Sequence, residues 1–217
     1  MGTLRLFSII FLTVIAGADL YLIGTSQEKK RIWTKPFIIP LIIFIYSQYA
    51  KQINYSLVMA LAFSFFGDFF LLFSEKKIFF QTGLFSFLMS HILYIYTFTG
   101  TISLSNVPPI RYLVLIIPYL IYILVFLKIL KPYLENYLIP VILYTITIAG
   151  MSYASLLRFW TTTGFYFWLP FIGSLFFIIS DSLLAIRNFR YGQKKGWITV
   201  MLSYILGQLF IVMGFMG

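Results

Sequence analysis

The chain has 217 residues, of which 61% are hydrophobic and only 10% charged, with a mean hydropathy of +0.95. This lies far outside the range of water-soluble globular domains and points to an integral membrane protein. The formal net charge of +10 would suit nucleic acid, but the basic residues are sorted by loop, which membrane topology explains and nucleic-acid binding does not.

A bilayer core of about 30 Å takes roughly 20 apolar residues per helix. Eight such runs follow one another, near 4–24, 36–50, 55–73, 79–100, 111–129, 137–157, 165–186 and 197–215. The expected fold is therefore all-α, a polytopic membrane protein with a single bundle of eight transmembrane helices over residues 1–217. In the first run, "AGAD" at 16–19 offers a small-x-small cleavage pattern. A signal peptide is not expected, because only Arg5 precedes the run while four basic residues follow it. The start "MGTLRL" also lacks the Ser or Thr that myristoylation wants where Leu6 stands. The second run is short; Pro36 suits the first turn of its helix and Pro40 is placed to bend it.

Lys and Arg number four in the first loop (Lys29, Lys30, Arg31, Lys35), two in the third (Lys76, Lys77), two in the fifth (Lys128, Lys131) and four in the seventh (Arg187, Arg190, Lys194, Lys195). The other side holds Arg5, Lys51, Arg111 and Arg158. The positive-inside rule then puts the odd-numbered loops in the cytoplasm and both termini on the opposite side, in what is expected to be a bacterial inner membrane. Anionic lipid headgroups are natural partners of those loops. With no cysteine, disulfides, thiol nucleophiles and Cys-ligated metals are excluded. No inverted repeat of the transporter kind is evident.

Six acids remain to be explained. Glu28, Glu75 and Glu135 fall in or beside loops, where water is expected to solvate them. Asp19, Asp68 and Asp181 fall inside predicted helices. A carboxylate at the bilayer centre costs roughly 2.5–3.5 kcal/mol on insertion scales, so these three are expected to face the bundle interior. Each lies about five residues from the odd-loop end of its helix, roughly 7 Å in at 1.5 Å per residue. Three acids on three helices thus share one layer. Neighbouring helices add polar stripes: Gly83, Ser90, His91 (the only histidine), Tyr94 and Thr97 on helix 4, Tyr144, Thr147 and Ser155 on helix 6, and Tyr204 and Gln208 on helix 8. Bonds between helices would account for many of them without any chemistry.

"FFGDFFLLF" (65–73), "GLFSFLMSHILYIYTF" (83–98) and "FIISDSLLAI" (177–186), preceded by "TKPFIIP" (34–40) and followed by "YILGQLFI" (204–211), resemble the YhhN family. Its characterised animal members are eight-helix lysoplasmalogenases, which hydrolyse the vinyl-ether bond of lysoplasmalogens to a fatty aldehyde and glycerophosphoethanolamine or glycerophosphocholine. The resemblance runs from about Asp19 to Gln208 and singles out Lys35, Asp68, His91, Tyr94, Asp181, Tyr204 and Gln208. It implies an ether hydrolase without a cofactor, acting on a lysophospholipid substrate.

A vinyl ether is hydrolysed by protonation of its β-carbon, which leaves an oxocarbenium ion for water to trap. Glycoside cleavage offers the analogy, with two carboxylates flanking an oxocarbenium-like transition state. One carboxyl in a low-dielectric bundle resists ionisation while another keeps its charge. Asp68 and Asp181 are expected to form this pair, with His91 orienting a carboxylate or passing a proton. Lys35, at the start of helix 2, is placed either to pair with a lipid phosphate or to anchor the helix by snorkelling. Tyr94, Asp19, Tyr144, Ser180, Tyr204 and Gln208 complete the expected substrate-binding set, and the Phe-rich interior is expected to take the alkenyl chain. No metal is expected, since one histidine and no cysteine leave only hard oxygen ligands. A proton-coupled transporter would also bury acids and a histidine, and stands as the alternative; a third reading has the acids only knitting helices together.

Overall fold

The computed structural model describes residues 2–102, 109–192 and 197–217. Among the described residues eight α-helices run in order: α1 Gly2–Gly24, α2 Lys35–Tyr49, α3 Tyr55–Leu71, α4 Lys77–Thr99, α5 Pro109–Leu130, α6 Leu138–Leu157, α7 Phe165–Ala185 and α8 Ile198–Met213. They begin and end within two residues of the apolar runs in the sequence. No strand occurs among the described residues. In hydrocarbon the backbone must satisfy its own hydrogen bonds, and helices are how an open chain does so. Asn54 caps α3 by accepting from Leu57 N at 3.1 Å. Pro36 occupies the first turn of α2, and Pro40 lies inside that helix. Among the described residues five helical stretches, containing all or most of α1, α4, α5, α6 and α7, are long and apolar enough to cross a membrane. At 15 residues α2 is only about 22 Å long, and α3 and α8 have 17 and 16 residues.

Large apolar side chains such as Phe7, Ile10, Val14, Leu113, Leu124 and Ile139 stand on the outer surface. A soluble monomer does not tolerate apolar exposure on this scale, whereas an integral membrane protein presents it to lipid. The inside holds Tyr46, Tyr94, Phe98, Phe177, Leu61 and Ile148, all fully buried.

The tightest helix pairs are α3 with α4 and α7 with α8, and glycines make the second possible. A Cβ on Gly173 would sit 2.8 Å from Gly207 O and 2.9 Å from Ile211 N, backbone atoms that cannot swing aside. Small residues at membrane helix crossings allow this approach. Gly173→Ala is expected to pry α7 from α8 and cost about 1–3 kcal/mol, visible as a lower unfolding temperature in detergent; an unchanged temperature would mean the crossing relaxes freely.

The connections sort to two ends. Segments from the first, third and seventh loops line one cavity together. Segments from the second, fourth and sixth line another, with the C-terminal residues. Arg5 donates to Gln48 O at 2.6 Å, which fixes the N-terminus at the even-loop end as well. Of the basic residues counted in the seventh loop, Lys194 and Lys195 lie outside the described residues.

Candidate active site

Two cavities open near the odd-loop end. One, about 290 Å³, is polar: Lys29, Arg31, Lys35, Asp68, Asp181 and Arg187 are among its walls. The other, about 430 Å³, is apolar, walled by residues of α4, α5, α6 and α7 that include Phe80, Leu84, Phe126, Val141 and Ile148. Both volumes lie near or within the range of small-molecule pockets, about 300–1,000 Å³. Asp181, Leu184 and Asn188 line both. Their spacing of three and four places them on one stripe of α7, which a single π turn over Ile186–Arg190 continues past the helix end. One face of α7 is thus the partition between a polar and an apolar chamber, and Asp181 is its only acid.

Asp181 Oδ2 lies 3.0 Å from His91 Nε2 and accepts a hydrogen bond from the Tyr144 hydroxyl. The Tyr144 oxygen is itself 3.1 Å from His91 Nε2, so the three groups close a triangle. His91 is fully buried, edge-on to the Phe177 ring, and its Nδ1 has no hydrogen-bond partner among the described residues. Oδ1 of Asp181 makes no hydrogen bond among the described residues, leaving one carboxyl oxygen for the chambers.

Asp68 has different company. Its Oδ1 lies 3.0 Å from Lys35 Nζ, and its Oδ2 accepts from Tyr204 at 2.7 Å. Lys35 and Asp68 are both buried, so the ammonium does not reach out to bulk water. The snorkelling alternative for Lys35 is therefore overturned, and its cation is already engaged by Asp68. Nor do Asp68 and Asp181 meet as a direct pair: each has its own partners, and what they share is a wall of the polar cavity. A buried carboxylate with an ammonium at ion-pair distance has no reason to seek a second carboxyl.

From Asp68 a hydrogen-bonded chain runs inward. Gln208 Nε2 donates to Tyr204 at 3.3 Å, and Tyr94 donates to Gln208 Oε1. The chain stops at Tyr94; nearby, Ser64 and Ser90 meet each other at 2.8 Å. Beyond Tyr94 stand the rings of Phe98 and Phe177. Tyr94 and Gln208 line neither chamber, so substrate contact is not what their geometry provides; they brace Tyr204 behind Asp68.

Asp19 departs further from its expected place. It is fully buried, gripped by Arg31 through Nε at 3.1 Å and Nη2 at 2.8 Å, and by Thr34 Oγ1 at 2.7 Å. It lines neither chamber, and its oxygens are spent on closing the first loop over α1. Arg31 also meets Glu28 at 3.1 Å, so Glu28 is ion-paired rather than simply solvated. Burial lowers the Arg31 guanidinium's affinity for its proton, but Asp19 and Glu28 more than offset this and hold it above its ordinary value. Ser180 lines the polar cavity, yet its hydroxyl donates to Val200 O at 3.0 Å and ties α7 to α8. On α6, Thr147 turns outward and bonds its own helix at Leu143 O, while Tyr144 faces in.

Sequence reasoning counted Lys29 and Arg187 among the loop cations that meet lipid headgroups but did not bring them to one cavity. Lys29 and Arg187 line the polar cavity, and Arg187 is held by Asn188 Oδ1 at 3.2 and 3.3 Å. The available signal was the i, i+3, i+7 spacing from Asp181 to Leu184 and Asn188. Among the described residues no three His, Asp or Glu side chains converge as metal ligands.

The model of the YhhN family matches residues 30–215. No curated protein and no solved structure matches the chain.

Proposed function

The chain belongs to the YhhN family, and on that footing we propose that it is an integral-membrane hydrolase of lysoplasmalogens, cleaving the vinyl ether to a fatty aldehyde and a glycerophospho-headgroup. The observation that carries this reading is the position of Asp181 in the partition between the two chambers. A single-chain ether lipid has the same division: an apolar chain, a polar headgroup, and the reactive bond where they join. In the proposed pose the alkenyl chain fills the apolar chamber and the headgroup the polar one. Lys29 and Arg187, the cations not committed to Asp68 or Asp19, take the phosphate.

Asp181 Oδ1 gives its proton to the β-carbon, and the electrons of the double bond form the new C–H bond. The oxocarbenium ion left at the α-carbon is stabilised by the Asp68 carboxylate, which Lys35 holds at 3.0 Å. Water adds to the α-carbon and its surplus proton returns to Asp181. The hemiacetal then collapses to aldehyde and the glycerol hydroxyl, so that one water is consumed overall. His91 and Tyr144 orient the carboxyl through Oδ2, leaving Oδ1 for chemistry. All eight helices cross the bilayer in this reading, and the positive-inside rule places both chambers at the cytoplasmic leaflet.

A proton-coupled transporter would need a polar path to the other side. The buried chain from Asp68 instead ends at Tyr94, with Phe98 and Phe177 beyond, which favours chemistry over passage. Purified protein incubated with 1-alkenyl, 1-alkyl and 1-acyl lysophospholipids of ethanolamine and choline is expected to release aldehyde from the alkenyl lipids alone. Intact recovery of every lipid by mass spectrometry, together with solute flux in sealed liposomes, would establish the transporter instead.

A further inference from the structure

At the end of the bundle opposite both chambers lies a third cavity, about 450 Å³, whose walls include Tyr46, Asn54, Thr101, Arg158, Thr162 and Tyr166. Arg158 is only 2% exposed. Its Nε donates to Thr101 Oγ1 at 3.0 Å, and its guanidinium lies 4.6 Å from the centre of the Phe215 ring and 5.7 Å from that of Phe98. Nη1 is buried and has no hydrogen-bond partner among the described residues.

A buried guanidinium needs an anion, because an uncompensated buried charge is strongly unfavourable. The chain cannot provide an acidic side chain at this end. Its six acids are Asp19, Glu28, Asp68, Glu75, Glu135 and Asp181, and every one lies in or towards the odd-numbered loops. Gly217 lines the same cavity, but among the described residues no ion pair involves Arg158. The guanidinium lies against both rings and forms part of the cavity wall, and its planar fork of donors is suited to the oxygens of a phosphate.

We propose that the Arg158 cavity is a phosphate-binding site, remote from the hydrolytic chambers and filled by a phospholipid headgroup or by free phosphate. Arg158 supplies the charge and Thr162 lines the space the anion enters. The site stands whether or not the protein is a hydrolase, since none of its residues lines either chamber.

Purified protein in detergent, titrated with inorganic phosphate and separately with short-chain phosphatidylglycerol, tests this by native mass spectrometry and thermal shift. At least one probe is expected to bind the unaltered protein, with affinity about tenfold lower or worse in Arg158→Gln and in Thr162→Trp, and better retained in Arg158→Lys. Aldehyde release is expected to be unchanged in all three. Binding of phosphate alone would identify a free anion as the occupant; binding of the lipid alone would identify a headgroup. Should Arg158→Gln fail to fold, Thr162→Trp decides, because it keeps the guanidinium and fills the cavity. Absence of binding by either probe, or equal binding by the variants that fold, would overturn the site.

Discussion

Replacing Asp181 by asparagine is expected to lower aldehyde release from a 1-alkenyl lysophospholipid by about a thousandfold, within the 10²–10⁴-fold range typical of a removed general acid. Asparagine keeps the shape of the side chain and can still accept from Tyr144 through its amide oxygen, so the fold is expected to survive with little change in unfolding temperature. What it cannot do is release a proton to carbon. Asp181 is the one acid that lines both chambers, so no neighbour stands ready to replace it. Tyr144→Phe removes only one of the two bonds to Oδ2 and should cost less. The comparison is made on initial rates with the aldehyde trapped as it forms; equal rates for Asp181→Asn would take Asp181 out of the chemistry.

Lys35→Met is expected to give the largest loss of stability of any single change at the site, about 3–5 kcal/mol, as when one member of a buried ion pair is removed. The ammonium and the Asp68 carboxylate are 3.0 Å apart and both side chains are nearly excluded from the surface. Methionine matches the length of the lysine stem but leaves a buried carboxylate with Tyr204 as its remaining partner. Adding Asp68→Asn to Lys35→Met should recover much of the lost stability, because the uncompensated charge then disappears. It should not recover hydrolysis, which needs that charge beside the developing oxocarbenium ion. A snorkelling lysine would give almost no loss, and the double variant no recovery.

The helices were legible because lipid leaves the chain little choice: apolar runs of about 20 residues must form helices, and the start of the second was marked by Pro36. The intramembrane acids were legible for the same reason, since Asp68 and Asp181 in Phe- and Leu-rich segments have to face inward. What each acid touches was not. Arg31 reaches Asp19 across 12 residues and Tyr204 reaches Asp68 across 136, distances over which helical periodicity carries no information. Asp19 therefore looked like a site residue and is a structural clasp, while Lys35 looked like a phosphate ligand or a surface anchor and is a buried counter-ion. The two chambers were equally hidden, because the partition depends on how α4, α5, α6 and α7 splay around the stripe of Asp181, Leu184 and Asn188. Arg158 was visible as one of few basic residues on its side, but only packing against Phe98 and Phe215 reveals that it is buried.

The most direct test is to run the reaction in D₂O with a 1-alkenyl lysophospholipid, trap the aldehyde at once, and weigh it. Protonation of the β-carbon by Asp181 predicts one deuterium on the carbon next to the carbonyl, formed by the unaltered protein and almost absent from Asp181→Asn. Aldehyde without that deuterium, or labelled aldehyde formed equally fast by Asp181→Asn, would contradict a vinyl-ether hydrolysis driven by this carboxyl.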